Sequence, residues 1–160
     1  MFGTNLHGVN AYSKVSVETG VLAASPNKLI IMLYEGAIAA CRSAVVYMNN
    51  KDIPNKGAVL SKAILIIESG LRLSLDKKSG GEIAVSLDAL YAYMSKRLVT
   101  ANLRNQPEMV IEVIKLLTEL KSAWEAIENK QTTSQELPAT IPRIASQIAV
   151  NRNIANYAKA

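Results

Sequence analysis

The sequence predicts an all-α protein folded as an antiparallel up-down-up-down four-helix bundle, and three observations lead to this class. Apolar residues recur three and four positions apart in four separate stretches, which is the spacing of one helix face. No stretch alternates apolar and polar residues for the length of a strand. Links of a few residues join the stretches, and such short links force consecutive helices to run antiparallel.

The bundle is expected to occupy residues 25–130. The N-terminal segment, residues 1–24, has no clear periodicity and can pack on the bundle as an additional element. Residues 131–160 are a polar, proline-punctuated linker followed by a tail. The tail could form a short C-terminal helix with Ile144, Ile148 and Ala155 on one side.

The first helix is predicted to begin at Pro26 and to end near Met48. Ser25 is a favourable N-cap residue, and a proline at the first helical position loses only an N–H group that has no intrahelical partner. The main apolar stripe of this helix contains Leu29, Leu33, Ala37, Ala40, Cys41, Ala44 and Met48. Four further apolar residues, Ile30, Tyr34, Ile38 and Val45, widen that stripe.

The second helix is expected to follow Asp52, which can cap it, with Pro54 in its first turn. The residues that recur at helical spacing are Leu60, Ala63, Ile64, Ile67, Leu71 and Leu75. Leu65 and Ile66 lie off this stripe. The sequence KKSGG, residues 77–81, is expected to end the helix.

The third helix is predicted to run from the Gly80-Gly81 pair to about Leu103. Its stripe contains Ile83, Leu87, Leu90, Tyr91, Met94, Leu98 and Ala101. Tyr93 is two positions from Tyr91, about 200° around the helix, so the two tyrosines cannot share one narrow core face. We therefore assign Tyr91 to the core and Tyr93 to a neighbouring, exposed face.

The fourth helix is predicted to begin at Pro107 and to end near Lys130. Glu108 is favourable in its first turn because the N-terminal end of a helix carries partial positive charge. Its apolar stripe contains Val110, Val113, Ile114, Leu117, Leu120, Trp124 and Ile127.

Charge and composition exclude several classes of function. The net charge is +5, of which residues 129–160 contribute +3 through four basic side chains and one acidic one. The remaining body is close to neutral, so it does not predict nucleic-acid binding. The longest apolar stretch begins at Leu29, is interrupted by Glu35 and falls short of a bilayer span, so no membrane insertion is predicted. With no secretory signal and only Cys41, a cytoplasmic location is expected.

The sequence contains few groups suited to catalysis, and no enzyme activity is predicted. His7 is the only histidine and Cys41 the only cysteine, which excludes a zinc cage of these ligands. Neither GxGxxG nor GxxxxGK[ST] is present, and the Gly80-Gly81 pair is more simply a turn before a helix. We predict no catalytic residue, no metal site and no cofactor.

The chain has more apolar residues than four narrow stripes require. Those at the edges of the stripes or outside them are Ile30, Ile38, Val45, Leu65, Ile66, Leu73, Val99, Met109 and Leu116. A broad stripe can simply mean a well-buried helix, and scattered surface leucines are normal. If these residues form a contiguous exposed patch, the chain's own termini or a partner must cover it.

Three segments closely resemble the flagellar export chaperone family, the FliS family, whose members hold flagellin before secretion. They are NAY at 10–12, ASPNKLIIMLYEGAI at 24–38, and SLDKKSGGEIAVSLDALYAYMSKRLVTAN at 74–102, and a fourth helix containing LKSAWEAI follows. The resemblance spans about residues 10–128. This chain has Ala23 where the family commonly has Thr, and the tail after about residue 130 is not covered.

The resemblance implies a chaperone, a monomer or weak homodimer, that binds the disordered C-terminal segment of flagellin in apolar surface grooves. It further implies that flagellin so held cannot polymerise and is delivered to the cytoplasmic domain of the export gate. The segment with Tyr12 is expected to pack on the bundle and compete for part of the groove. The predicted partner-binding residues are Tyr12, Ile30, Ile38, Leu65, Ile66, Leu73, Leu90, Tyr93 and Arg97. The alternative is a helical adaptor that binds another amphipathic segment through the same groove.

Overall fold

Four α-helices and one π-helical segment make up the fold in the computed structural model, which describes residues 20, 21 and 23–135. The elements are α1 (Pro26–Asn49), α2 (Ile53–Leu65), the π-segment (Ile66–Arg72), α3 (Gly81–Arg104) and α4 (Pro107–Gln135). Within that range there is no strand. The predictions for Tyr12, His7 and the C-terminal helix lie outside the described residues.

The helix ends follow the capping residues of the sequence. The Lys28 backbone N–H donates to Oγ of Ser25 at 3.1 Å, and the Asn55 backbone N–H donates to Oδ1 of Asp52 at 3.3 Å. These contacts confirm the two predicted N-caps. α3 ends at Asn105, whose φ of 50° is left-handed, a conformation that asparagine adopts more readily than most residues.

The helices pack as an antiparallel bundle, as predicted. α1 packs against α2 and α4, while α3 packs against the π-segment and α4. The core lies between them and contains side chains from all four helices and the π-segment. By length and composition α1 could also span a membrane, but in this fold many of its apolar side chains line the core.

The buried arc of α1 is broad, as predicted, and it is rotated toward the residues expected at its edge. Leu29, assigned to the main stripe, is 36% exposed, whereas Tyr34 is completely buried. Ile30 and Ile38, predicted as partner-binding residues at the edge of the apolar stripe, are each only 5% exposed and belong to the core. The reason is that α1 contacts α2, the π-segment and α4, so more than one stripe of it is covered.

Hydrogen-bonded aromatic side chains join three helices inside the core. The hydroxyl groups of Tyr34 on α1 and Tyr91 on α3 share a 2.5 Å hydrogen bond, and Nε1 of Trp124 on α4 donates to the Tyr34 hydroxyl at 3.2 Å. The buried aromatic polar groups thus satisfy one another without water. Tyr91 is 2% exposed and Tyr93 is 43% exposed, which confirms their predicted environments.

The second helix does not continue as a regular α-helix to its predicted end. After Leu65 the backbone widens into the π-segment, which packs on α1 at two glycines. A Cβ added at Gly36 would lie 3.4 Å from Cδ1 of Ile66, and one added at Gly70 would lie 3.1 Å from Cδ2 of Leu33. The first distance is an ordinary van der Waals contact, whereas the second is tight, so the absence of a side chain at Gly70 permits the close approach of α1 and the π-segment.

Candidate functional site: two apolar surfaces

The first apolar surface lies on the side of α3 that faces α4, and we name it the α3–α4 surface. An open depression of about 350 Å³ on α3 is lined by Glu82, Ile83, Ser86, Leu87 and Leu90. Ile83, Leu90 and Arg97 follow one another at intervals of seven residues, so they share one flank of the helix. Ile83 is 53% exposed even though the sequence assigned it to the core.

The opposite wall of this surface comes from α4. Glu112 faces α3, since it bonds to Arg97, and Leu116, Leu120 and Ile127 follow it at helical spacing on the same flank. All three are partly buried against the core and leave part of their surface exposed. α4 packs more extensively on α1 than on α3, so the line between α3 and α4 is the more open one.

A polar cluster closes one end of the α3–α4 surface. The Tyr93 hydroxyl donates to Oε1 of Glu112 at 2.5 Å, and Nε of Arg97 donates to Oε2 at 2.6 Å. The hydrogen bonds from Tyr93 and from Arg97 lower the pKa of Glu112. The bond to this carboxylate in turn raises the pKa of Tyr93. At neutral pH the cluster therefore presents a charged pair beside an aromatic ring.

The second apolar surface follows the line where the π-segment packs on α1, and we name it the π-segment surface. Its residues are Leu29 and Leu33 on α1, Ile66 on the π-segment, and Leu73 just after it. Leu73 is 73% exposed and Leu29 is 36% exposed, whereas the other two are partly buried. Leu33 and Ile66 form the floor, and the two more exposed leucines lie above it.

The predicted partner-binding residues fall into three groups. Leu90, Tyr93 and Arg97 lie together on the α3–α4 surface. Ile66 and Leu73 lie on the π-segment surface. Leu65 is 63% exposed at the end of α2, on a neighbouring face.

Ile30 and Ile38 form the third group, and they are corrected from surface to core residues. They reach neither surface because they point into the bundle. Sequence reasoning missed Leu29 and Ile83, which belong to the two surfaces. Both residues fall in the predicted main apolar stripes of their helices, and only the packed bundle shows that they are exposed.

The described residues contain no metal-binding cluster and no activated thiol. No group of three His, Cys, Asp or Glu side chains in this part of the chain could hold a metal ion. Cys41 is buried in the core, and that burial raises the pKa of its thiol to about 12. A thiol with so high a pKa is a poor nucleophile at neutral pH.

A helical bundle with a continuous core and two partly exposed apolar surfaces has the form of a protein that binds another polypeptide. Comparison with known proteins identifies its family. A family model described as flagellar protein FliS matches residues 8–131. The chain belongs to this family, and it is a flagellar export chaperone rather than an enzyme.

Several curated relatives support this assignment over most of their length. The flagellar secretion chaperone FliS of Salmonella typhimurium is 47% identical over 123 residues, which are 77% of this chain and 91% of that protein. The flagellar secretion chaperone FliSB of Pseudomonas aeruginosa is 42% identical over 124 residues, 78% of this chain and 98% of that protein. FliS of Bacillus subtilis is 36% identical over 122 residues, 76% of this chain and 86% of that protein.

Proposed function

We propose that this chaperone acts in the cytoplasm and binds the C-terminal segment of flagellin on the α3–α4 surface and the π-segment surface. The observation that carries the proposal is the exposure of apolar side chains along two lines of a bundle whose core is already filled. Contiguous exposed apolar surface on a helical protein is a common form of binding site for amphipathic helices. The relatives named as flagellar secretion chaperones support a client of the flagellar export system.

The energetics suit a client that is disordered when free. Such a segment loses conformational entropy on binding, which costs several kcal/mol, and it needs roughly 1,000 to 3,000 Å² of buried surface to offset that cost. A side chain of Leu or Ile size contributes about 1.5 to 3 kcal/mol when it becomes fully buried. A few client residues seated between Ile83 and Leu90, and others against Leu73, therefore suffice for tight binding.

Binding of this kind has two consequences that complete the proposal. Flagellin whose C-terminal segment is held on the chaperone cannot use that segment for polymerisation. The complex, one chaperone monomer with one client, is the form presented to the cytoplasmic domain of the export gate. Light scattering of a polymerising flagellin solution should show suppression at equimolar chaperone, and sedimentation of the complex should give a one-to-one mass.

The decisive experiment measures the affinity of a fluorescently labelled flagellin C-terminal peptide for the full chain and for matched variants. Ile83→Gln and Leu73→Gln each remove an exposed apolar side chain from one of the two surfaces. Each should weaken binding by roughly 10- to 100-fold, the equivalent of about 1.5 to 3 kcal/mol. Val85→Gln is the control, because Val85 is 61% exposed on the same helix turn but points away from α4.

Two outcomes would count against the proposal. If Val85→Gln weakens binding as much as Ile83→Gln, general loss of apolar surface would explain the effect and the α3–α4 surface would have no special role. If an unrelated amphipathic helical peptide binds as tightly as the flagellin peptide, the chain would be a general helical adaptor.

A further inference from the structure

We propose that the C-terminal tail, residues 136–160, folds back onto the α3–α4 surface of its own chain and occupies it when no client is bound. The tail lies outside the match to the family model, which ends at residue 131 of this chain. It is rich in isoleucine and alanine.

The end of α4 lies at the end of the bundle where α1 begins, which is also the end where α3 begins. The Ser25 hydroxyl donates to Glu128 Oε1 at 2.8 Å, and Nδ2 of Asn27 donates to Gln131 Oε1 at 3.0 Å, so the last turns of α4 are held beside the start of α1. α3 and α4 are antiparallel, and the contacts of Tyr93 and Arg97 with Glu112 set their register, so the end of α4 at Gln135 lies roughly 15 Å beyond Ile83 along the bundle axis.

The chain after α4 is long enough to reverse direction. The residues between Gln135 and Ile141 can span roughly 20 Å when extended, which is enough to reach back to the level of Ile83 along the axis. Pro138 and Pro142 disfavour continuation of α4 through this stretch. A tail that turns back here would run antiparallel to α4, along the open line between α3 and α4.

The chemistry of the tail complements this surface. Ile144, Ile148 and Ala155 fall on one side of a helix and would face the apolar depression. The tail from residue 136 carries Arg143, Arg152 and Lys159 against a single acidic residue, Glu136. Glu82 lines the depression, and Glu119 lies seven residues after Glu112 on the α3 side of α4. Neither Glu82 nor Glu119 forms an ion pair with another residue in the described range.

Docking of the tail would regulate the site of the proposed function, and that consequence rests on flagellin binding there. A client must displace the tail, so its apparent affinity equals the intrinsic affinity multiplied by the fraction of molecules in which the surface is open. The docking itself can be measured without any client. The tail would also shield apolar side chains that otherwise invite self-association.

The test is hydrogen–deuterium exchange of the full chain, without client, followed on peptides from residues 141–158. In the wild type these amides should exchange more slowly, on the order of tenfold or more, than in the urea-unfolded chain. Ile83→Gln and the double substitution Ile144→Gln/Ile148→Gln should each abolish that protection. Val85→Gln, on the opposite flank of α3, should preserve it, and protection should not change on dilution.

Each alternative outcome overturns the proposal. Exchange of the wild-type tail at the unfolded rate would show that it is not docked. Protection that survives Ile83→Gln, or that Val85→Gln removes equally, would place the tail elsewhere. Protection lost on dilution would show that the tail binds a second copy. If flagellin peptide fails to bind while the tail is protected, only the proposed function fails, so the two results are separable.

Discussion

At the scale of single residues, hydrogen bonding decides what the aromatic side chains do. The Tyr34 hydroxyl accepts from Trp124 Nε1 and shares a hydrogen bond with the Tyr91 hydroxyl, all inside the core. Tyr93, two positions from Tyr91, bonds instead to Glu112 at the surface. A hydroxyl or N–H group that loses its partner in the core cannot form a replacement hydrogen bond with water. The exposed Tyr93 hydroxyl can.

This difference predicts an order of stability among three phenylalanine variants. Tyr34→Phe removes the central group and leaves both Tyr91 and Trp124 without a partner, so it should cost the most. Tyr91→Phe leaves the Tyr34 hydroxyl without one of its two hydrogen-bond partners and should cost about 1 to 3 kcal/mol. Tyr93→Phe, the surface control, should change the free energy of unfolding by about 0.5 kcal/mol or less. Urea unfolding gives these values, and equal effects of all three variants would contradict the cluster.

The buried tyrosines also predict how stability depends on alkaline pH. Burial raises the pKa of Tyr34 and of Tyr91 above the ordinary value of 10.0. A raised folded-state pKa gives stability that is fully present below the unfolded value and is lost as pH rises above it. The free energy of unfolding should therefore fall above pH 10, by about 1.4 kcal/mol per pH unit for each tyrosine that ionises only on unfolding.

The Tyr91→Phe variant tests this assignment. One of the two ionising groups is absent, so the slope of stability against pH above pH 10 should be shallower by about 1.4 kcal/mol per unit. Urea titrations at a series of pH values measure the slope in both proteins. A variant with the wild-type slope would show that Tyr91 does not contribute to alkaline unfolding.

At the scale of elements, the π-segment is the least regular part of the bundle, and it approaches α1 tightly at one position. Its Gly70 lies against Leu33, and its Ile66 lies against Gly36. The close approach places Leu73 beyond the core, where it forms the exposed edge of the π-segment surface. The irregular backbone thus positions one of the two candidate binding surfaces.

Two glycine substitutions test this packing. Gly57 lies inside α2 with nothing within 4 Å of an added Cβ, so Gly57→Ala should raise the free energy of unfolding by about 0.5 to 1 kcal/mol. At Gly70 the added Cβ would lie 3.1 Å from Cδ2 of Leu33 and 3.3 Å from its Cδ1. Gly70→Ala should therefore gain nothing or lose stability, because Leu33 must move. An equal gain at both sites in urea unfolding would mean that α1 and the π-segment are less tightly packed.

At the scale of the whole molecule, some sides of the bundle are closely packed and others leave apolar side chains exposed. α1 is covered by α2, the π-segment and α4, whereas the flank of α3 beside α4 carries an open depression. A client that folds on this open side buries apolar surface on both partners. The thermodynamic signature of that burial is a negative change in heat capacity on binding.

Calorimetry of flagellin-peptide binding at several temperatures should therefore give a clearly negative heat-capacity change. For roughly 1,500 to 3,000 Å² of mostly apolar burial we expect about −0.2 to −0.5 kcal/mol/K. The peptide should also gain helical circular dichroism on binding. Ile83→Gln serves as the matched comparison, since it should reduce the magnitude. A heat-capacity change near zero would indicate polar contacts and would contradict binding through the apolar surfaces.

Local sequence determined the four helices, the N-caps at Ser25 and Asp52, the antiparallel order and the separation of Tyr91 from Tyr93, because these depend on neighbouring residues, helical spacing and short links. Only tertiary structure decided the π-segment, the burial of Ile30 and Ile38, and the exposure of Ile83. Those features depend on which flanks of the helices pack together. The pattern of apolar residues along one helix does not determine how many neighbouring helices will cover it. For the same reason the sequence indicated an apolar surplus, while packing decided where that surplus lies.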